Sequence, residues 1–254
     1  MSNPKIDTTS QFVRNLPKDF TLGNDAAQYR LFREYGAVFV ARGGVIAPDK
    51  VVFEDENDVR DFQSRLDIVE SRIGEFDLEL QSAAMEALRN AIDTASRSGL
   101  SIMPGGQDSA RRNYEDTIEL WKSRVDPALG HWVANGRMSA QQAEHLRSLS
   151  PYEQVAEVFA LEEKGIYFAK NLSKSIIYSV APPGASQHLS LLAFDVAEFD
   201  DARVRSILAE NYWYQTVTSD LPHFTFLGAP ERELRGLGLK MVRNCDRDFW
   251  VPDI

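Results

Sequence analysis

The apolar pattern changes character near Gly165, and that change limits the fold more than any other feature. Before it, apolar residues recur at helical spacing. Val59, Phe62, Leu66, Val69 and Ile73 follow a 3-4-3-4 rhythm that predicts an amphipathic helix over 56–73. Leu80, Ala84, Leu88, Ile92 and Ala95 predict a second over 77–98, with Gly99 as its C-terminal cap. A third, over 108–124, turns Tyr114, Ile118, Trp121 and Val125 inward, and two more are expected near 139–149 and 151–164. The last opens with Ser150-Pro151-Tyr152-Glu153, a capping box with proline at the first helical position, and Gly165 closes it. Beyond Gly165 the texture is β-like. KSIIYSVAPP (174–183), LLAFDVAEF (191–199), YQTVTSD (214–220) and HFTFLG (223–228) are rich in β-branched and aromatic residues. One helix, from Asp200 or Asp201 to about Asn211, interrupts them with Val204, Ile207 and Leu208 inside. Helices followed by a small, mostly antiparallel sheet define an α+β layout. Two shorter strands are expected, one within GAVFVARGGVIAP (36–48) and one at LSIMPG (100–105).

A chain of 254 residues can bury a sizeable core without covalent help. It has one cysteine, Cys245, so no intramolecular disulfide can form. The formal net charge of −10 argues against nucleic acid or an anionic membrane as the main partner, since both select basic surfaces. No apolar run approaches a membrane span. The opening MSNPKIDTTSQF lacks a secretory pattern, so the expected compartment is the cytoplasm, or the periplasm or exterior if a leader was removed.

Only four histidines are present: His131, His145, His188 and His223. His188 follows the turn PPGASQ, Asp195 lies in the next apolar run, and His223 follows a second proline in SDLPHF. Two imidazoles and a carboxylate suffice for a catalytic zinc that keeps its fourth position for water. Asp220, three residues before His223, is a candidate proton carrier. Both acids also have plain structural readings. Asp195 could be a strand carboxylate paired with a histidine or arginine, and Ser-Asp before a proline suits a turn. His131 is expected at a loop or helix end and His145 on an exposed helix face. Cys245 is read as inert, and the four tryptophans as core, with Trp213 a candidate for lining a cleft.

The segment Ser186-Gln187-His188-Leu189-Ser190-Leu191-Leu192-Ala193-Phe194-Asp195 resembles the S-x-H-x-x-G-x-A-x-D motif of the zinc D,D-peptidase family, with Leu191 where glycine is expected. That family includes D-alanyl-D-alanine carboxypeptidases, vancomycin-resistance dipeptidases and L-alanyl-D-glutamate endopeptidases. Asp220-Leu221-Pro222-His223-Phe224 is similar to its second motif and looks most like the endopeptidase branch. ILAENYWYQT (207–216) resembles the linking helix that ends in Gly-Trp, with Tyr212 replacing the glycine. The resemblance implies a Hedgehog/D,D-peptidase-like sheet with helices packed on it, occupying 76–254. A helical insert would lie at about 125–165, and 1–75 would be a partly helical extension. It implies one Zn2+ held by His188, Asp195 and His223, with Asp220 as general base and Ser186 bracing a ligand or the substrate. An arginine, Arg112 or alternatively Arg111, would polarise the scissile carbonyl or hold a carboxylate. The implied substrate is a peptidoglycan stem peptide or a D-alanyl-D-alanine terminus. The rival expectations are an L-alanyl-D-glutamate endopeptidase and a non-catalytic module that binds cell-wall peptides, with the 56–98 helices available for self-association in either case.

Overall fold

A computed structural model describes residues 9–23 and 25–254. Helices α1 (Gln11–Arg14) and α2 (Ala26–Tyr35) open the chain. The Asp25 carboxylate caps α2 by accepting from the Gln28 amide, and the helix buries Ala27, Leu31, Phe32 and Tyr35 on one face. The expected strand within 36–48 is instead a 3-10 turn, Gly36–Val40, with every residue buried. Turn and loop bonds serve its backbone in place of a ladder: the Ala41 amide donates to the Val38 carbonyl and the Arg42 amide to that of Leu227.

Helix α3 (Glu56–Gln63) carries only the first half of the helix expected over 56–73. The second half is strand β1 (Ile68–Ile73), which pairs antiparallel with β2 (Phe76–Gln81). The helix expected from 77 therefore begins later, as α4 (Ser82–Arg97). Five apolar residues at 3-4 spacing also satisfy a strand when a neighbouring run alternates, as Phe76, Leu78 and Leu80 do. A two-residue turn with Gly74 at φ +61° closes the hairpin. The boundary expected between residues 75 and 76 falls inside this hairpin. One buried core spans it, joining Phe12, Leu31 and Phe32 to Leu80, Phe194 and Trp250. Gly99, at φ +69°, caps α4 as expected, with Leu100 donating back to the Ala95 carbonyl.

The run 100–105 makes a single bridge, Pro104 to Val196, rather than a strand. Helix α5 (Tyr114–Ala134) starts six residues later than expected, ends ten later and runs through Pro127, so the insert expected at 125–165 starts inside it. Helices α6 (Ala140–Ser148) and α7 (Pro151–Glu162) follow, and the Ser150–Glu153 capping box forms as read from sequence. The KSIIYSVAPP segment is a 3-10 turn, Ile176–Tyr178, not a strand. The buried Glu162 carboxylate captures its backbone, accepting from the Ile176 amide at 2.6 Å and the Ser175 hydroxyl at 2.5 Å. Those bonds take the place of a strand ladder.

The site sits on a small antiparallel sheet. Strand β3 (Ala193–Asp195), helix α8 (Ala202–Glu210), β4 (Trp213–Tyr214) and β5 (His223–Phe226) give the order β3-β5-β4. Helix α9 (Glu231–Leu234) leads to a hairpin absent from the sequence-based expectation, β6 (Leu239–Asn244) with β7 (Arg247–Pro252). Its turn residues Cys245 and Asp246 both adopt positive φ, the conformation two-residue hairpins favour, without the glycine that usually announces it. The overall architecture is mixed helix with small antiparallel sheets.

Candidate metal centre

Pairing in the central sheet brings the site together. The β3–β5 register sets Asp195 directly opposite His223. His188 arrives from a 3-10 turn, Gln187–Ser190, that follows the Pro-Pro-Gly loop. That loop must pass tight against the chain at Phe53. Gly184 has φ +74°, and a Cβ there would lie 2.0 Å from the Phe53 carbonyl oxygen, so only glycine fits. The turn ends at Leu191 with φ +58°, in the left-handed region, and β3 then starts with its residues facing the core. Tyr212 is also left-handed, at φ +68°. The two positions where the resembled family carries glycine thus keep a glycine-like backbone under bulky side chains.

His188, Asp195 and His223 place one ligand atom each within 4.8 Å of one another. His188 Nδ1 is 2.8 Å from the Ala110 carbonyl oxygen, which can only accept, so Nδ1 carries the proton. Burial, with Arg112 close by, lowers the His188 pKa and keeps the ring neutral. Its Nε2 therefore presents a lone pair, 3.4 Å from Asp195 Oδ1, and is buried with no hydrogen-bond partner. His223 Nε2 lies 2.9 Å from Gln187 Oε1, again an acceptor, which leaves Nδ1 facing Asp195 Oδ1 at 3.2 Å. The two rings meet edge to face with centroids 4.9 Å apart.

This geometry fits a metal ion. Lone pairs converge on one point while both outward nitrogens are tied to protein acceptors, the arrangement that orients metal-bound histidines. Tetrahedral ligands ~2.1 Å from zinc sit roughly 3.4 Å apart, close to the two separations seen here. Burial opposes ionisation of Asp195, and the two imidazoles more than reverse it, holding its carboxyl well below the usual range. Arg112 donates from Nη2 to Asp195 Oδ2 at 3.0 Å, which orients the carboxylate so that Oδ1 faces the histidines.

A cleft of about 180 Å³ opens beside the histidines. Asp220, Ser186 and Arg112 border it. Asp220 starts the tight turn that ends at His223, whose amide donates to the Asp220 carbonyl. The residue keeps surface open to solvent, yet enough protein surrounds its carboxyl to raise its pKa, with the Asp195 charge adding to the rise. Arg111 is directed elsewhere, donating to Glu79 Oε2 at 2.6 Å and to Gln63 Oε1 at 2.8 Å. Trp213 is a fully buried core residue packed between Phe194 and Phe226, not a wall of this cleft. His131 and His145 are exposed on α5 and α6, away from the cluster.

Three cleft residues escaped the sequence reading. Gln187 occupies a variable position of the motif. Tyr35 comes from the segment expected to be an extension. Arg124 shares a face of α5 with Thr117 and Leu120, and nothing in that spacing tells it from a solvent-facing helix residue until α5 is set against the cleft. Arg124 Nε donates to Ser179 Oγ at 2.7 Å, and the guanidinium meets no carboxylate within ion-pair distance among the described residues.

No family model matches the chain, and no curated protein does. Among solved structures, the chain is similar to a mutant of the vancomycin-resistance D,D-pentapeptidase VanY in complex with Zn(II). That likeness has 15% identity and a TM-score of 0.37, covering 65% of this chain and 82% of that one. At that level, the reading of the site rests on its own geometry.

Proposed function

We propose that the chain is a zinc-dependent peptidase that hydrolyses peptidoglycan stem peptides in the manner of a D-alanyl-D-alanine carboxypeptidase. The observation that carries this reading is the convergence of His188 Nε2, His223 Nδ1 and Asp195 Oδ1, with Nε2 buried and unpartnered. His188, Asp195 and His223 would hold the ion, which when bound supplies an activated water at neutral pH and an electrophile for a carbonyl oxygen.

The chain's own residues do the rest. Asp220, at the cleft edge with a raised pKa, accepts a proton on its carboxylate and passes it to the leaving amine; a raised pKa narrows the gap to neutral pH, where such a carrier works best. Arg112 fixes Asp195 and adds positive charge to the cleft wall. Arg124, with no acid partner among the described residues, offers a guanidinium to a carboxylate on the substrate. Leu120, Ile177, Val180 and Val217 supply an apolar surface for small side chains.

Asp220→Asn tests the reading. The variant should bind zinc like the wild type and lose at least ~100-fold in turnover of D-alanyl-D-alanine-ended peptides, the range for removing a proton-transfer group. Unchanged turnover would refute the assignment. Mass spectrometry of digested muropeptides identifies the bond: loss of terminal D-alanine supports the carboxypeptidase reading, and cleavage after L-alanine the endopeptidase one. Zinc binding without hydrolysis of any stem peptide would mark a binding module.

A further inference from the structure

We infer that Gln187 is the positioning residue that sets the tautomer of His223 and ties the candidate metal centre to the N-terminal helix α2. The inference rests on the metal-site reading above and assigns a role to Gln187, which the proposed mechanism leaves without one.

Gln187 is only 4% exposed, so its polar side chain is satisfied by protein partners rather than by solvent. Its amide can be oriented from its neighbours. Nε2 lies 2.8 Å from the Tyr35 carbonyl oxygen at the end of α2, and that oxygen can only accept. The amide nitrogen therefore faces Tyr35 and Oε1 faces the sheet. A flipped amide would set two acceptors against each other at Tyr35. Oε1 then receives His223 Nε2 at 2.9 Å and also the Thr225 hydroxyl. The Thr216 and Thr225 hydroxyls meet at 2.6 Å; with Thr225 donating to Gln187, Thr216 donates to Thr225. All four side chains are buried, so each donor is assigned in one direction.

The consequence falls on His223. The acceptor at 2.9 Å holds a proton on Nε2, which leaves Nδ1, the atom facing Asp195, as the nitrogen that can offer a lone pair to an ion. The opposite tautomer would point a proton into the centre and leave Nε2 against an oxygen lone pair. Ala110 performs the corresponding service for His188 through its backbone carbonyl, which mutation does not remove. Gln187 is the side chain on which this arrangement depends.

Two variants separate this role from simple packing. Gln187→Met fills the space but offers no acceptor. Gln187→Glu keeps an acceptor for His223 and loses the donor to Tyr35. Zinc affinity is measured on the full chain by competition with a chelator, with zinc alone as the probe. Removing an outer partner of a ligating histidine typically weakens metal binding 10–100-fold, so Gln187→Met should fall by about that factor while Gln187→Glu stays near wild type. Equal loss in both variants would assign the effect to the Tyr35 contact and overturn the inference, as would no loss in either. If Gln187→Met does not fold, nitrogen-15 NMR of the zinc-loaded wild type decides: a protonated Nε2 with zinc on Nδ1 of His223 supports the inference, and zinc on Nε2 overturns it. A wild type that binds no zinc would refute the proposed function, on which the inference rests.

Discussion

Leu191 and Tyr212 share a backbone conformation and differ in burial, so replacing each with glycine should move stability in opposite directions. A left-handed non-glycine residue costs about 1–2 kcal/mol, which either replacement recovers. Glycine then loses about 0.5–1 kcal/mol through the freedom it gains in the unfolded chain. At Tyr212, which is 39% exposed, little packing is lost, and the balance is a gain of zero to about 1 kcal/mol. At Leu191, which is 0% exposed, removing the whole side chain forfeits burial on the scale of a Leu→Ala core substitution, about 2–5 kcal/mol. The net for Leu191→Gly is a loss of about 1–5 kcal/mol, since packing outweighs the relief of strain. For a chain of this size, 1 kcal/mol corresponds to roughly 2–4 °C in Tm. Thermal unfolding followed by circular dichroism, with a urea titration for the free energies, reads both variants. Tyr212→Gly losing more than about 1 kcal/mol would refute the strain argument, and Leu191→Gly gaining stability would refute the packing argument.

Three further outcomes follow from the same geometry. Arg124→Leu should raise KM at least ~10-fold for peptides with a free terminal carboxylate and leave their amidated counterparts nearly unchanged, because a charge-assisted pair is worth roughly 1.5–3 kcal/mol; equal effects on both would remove Arg124 from substrate recognition. Burial raises the pKa of Glu162 above its unfolded value of 4.5. Between the unfolded value and the raised one the folded state holds more protons than the unfolded state, so stability falls as pH rises across that window. Glu162→Gln should flatten this part of the wild-type pH profile in urea titrations, and superimposable slopes would contradict the assignment. Arg112→Met should weaken zinc binding without abolishing it, since Asp195 keeps both imidazoles beside Oδ1 but loses the group that orients Oδ2; unchanged affinity would show that Arg112 plays no part in holding the ligand.

The three candidate ligands stood out in the sequence chiefly because 186–195 and 220–224 resemble two family motifs, since two histidines and an aspartate at this spacing are weak evidence by themselves; the fold brings the three side chains within 4.8 Å of one another. The helices with strong caps were legible too: Ser150-Pro151-Tyr152-Glu153 and Gly99 mark boundaries through local hydrogen bonds that require no tertiary context. What escaped depended on distant partners. Ile68–Ile73 reads as helix until Phe76–Gln81 is set against it. Residues 174–183 read as strand, yet their backbone partner is a carboxylate on α7. The turn at Cys245–Asp246 adopts positive φ without glycine, so the last hairpin gave no punctuation. Tyr35 and Gln187 became visible as site residues only when α2 was brought against the turn that carries His188, a contact across 152 positions. Arg111 and Arg112 are adjacent in sequence, and only the fold separates the one that reaches Asp195 from the one that reaches Glu79.

Whether His188, Asp195 and His223 hold one zinc ion is read from the metal content of the purified protein by elemental analysis, beside a His188→Ala variant. About one zinc per chain is expected, lost in the variant, because a catalytic zinc site is built on three protein ligands. A wild-type protein that holds no zinc, even after the metal is added back and excess removed, would contradict the assignment.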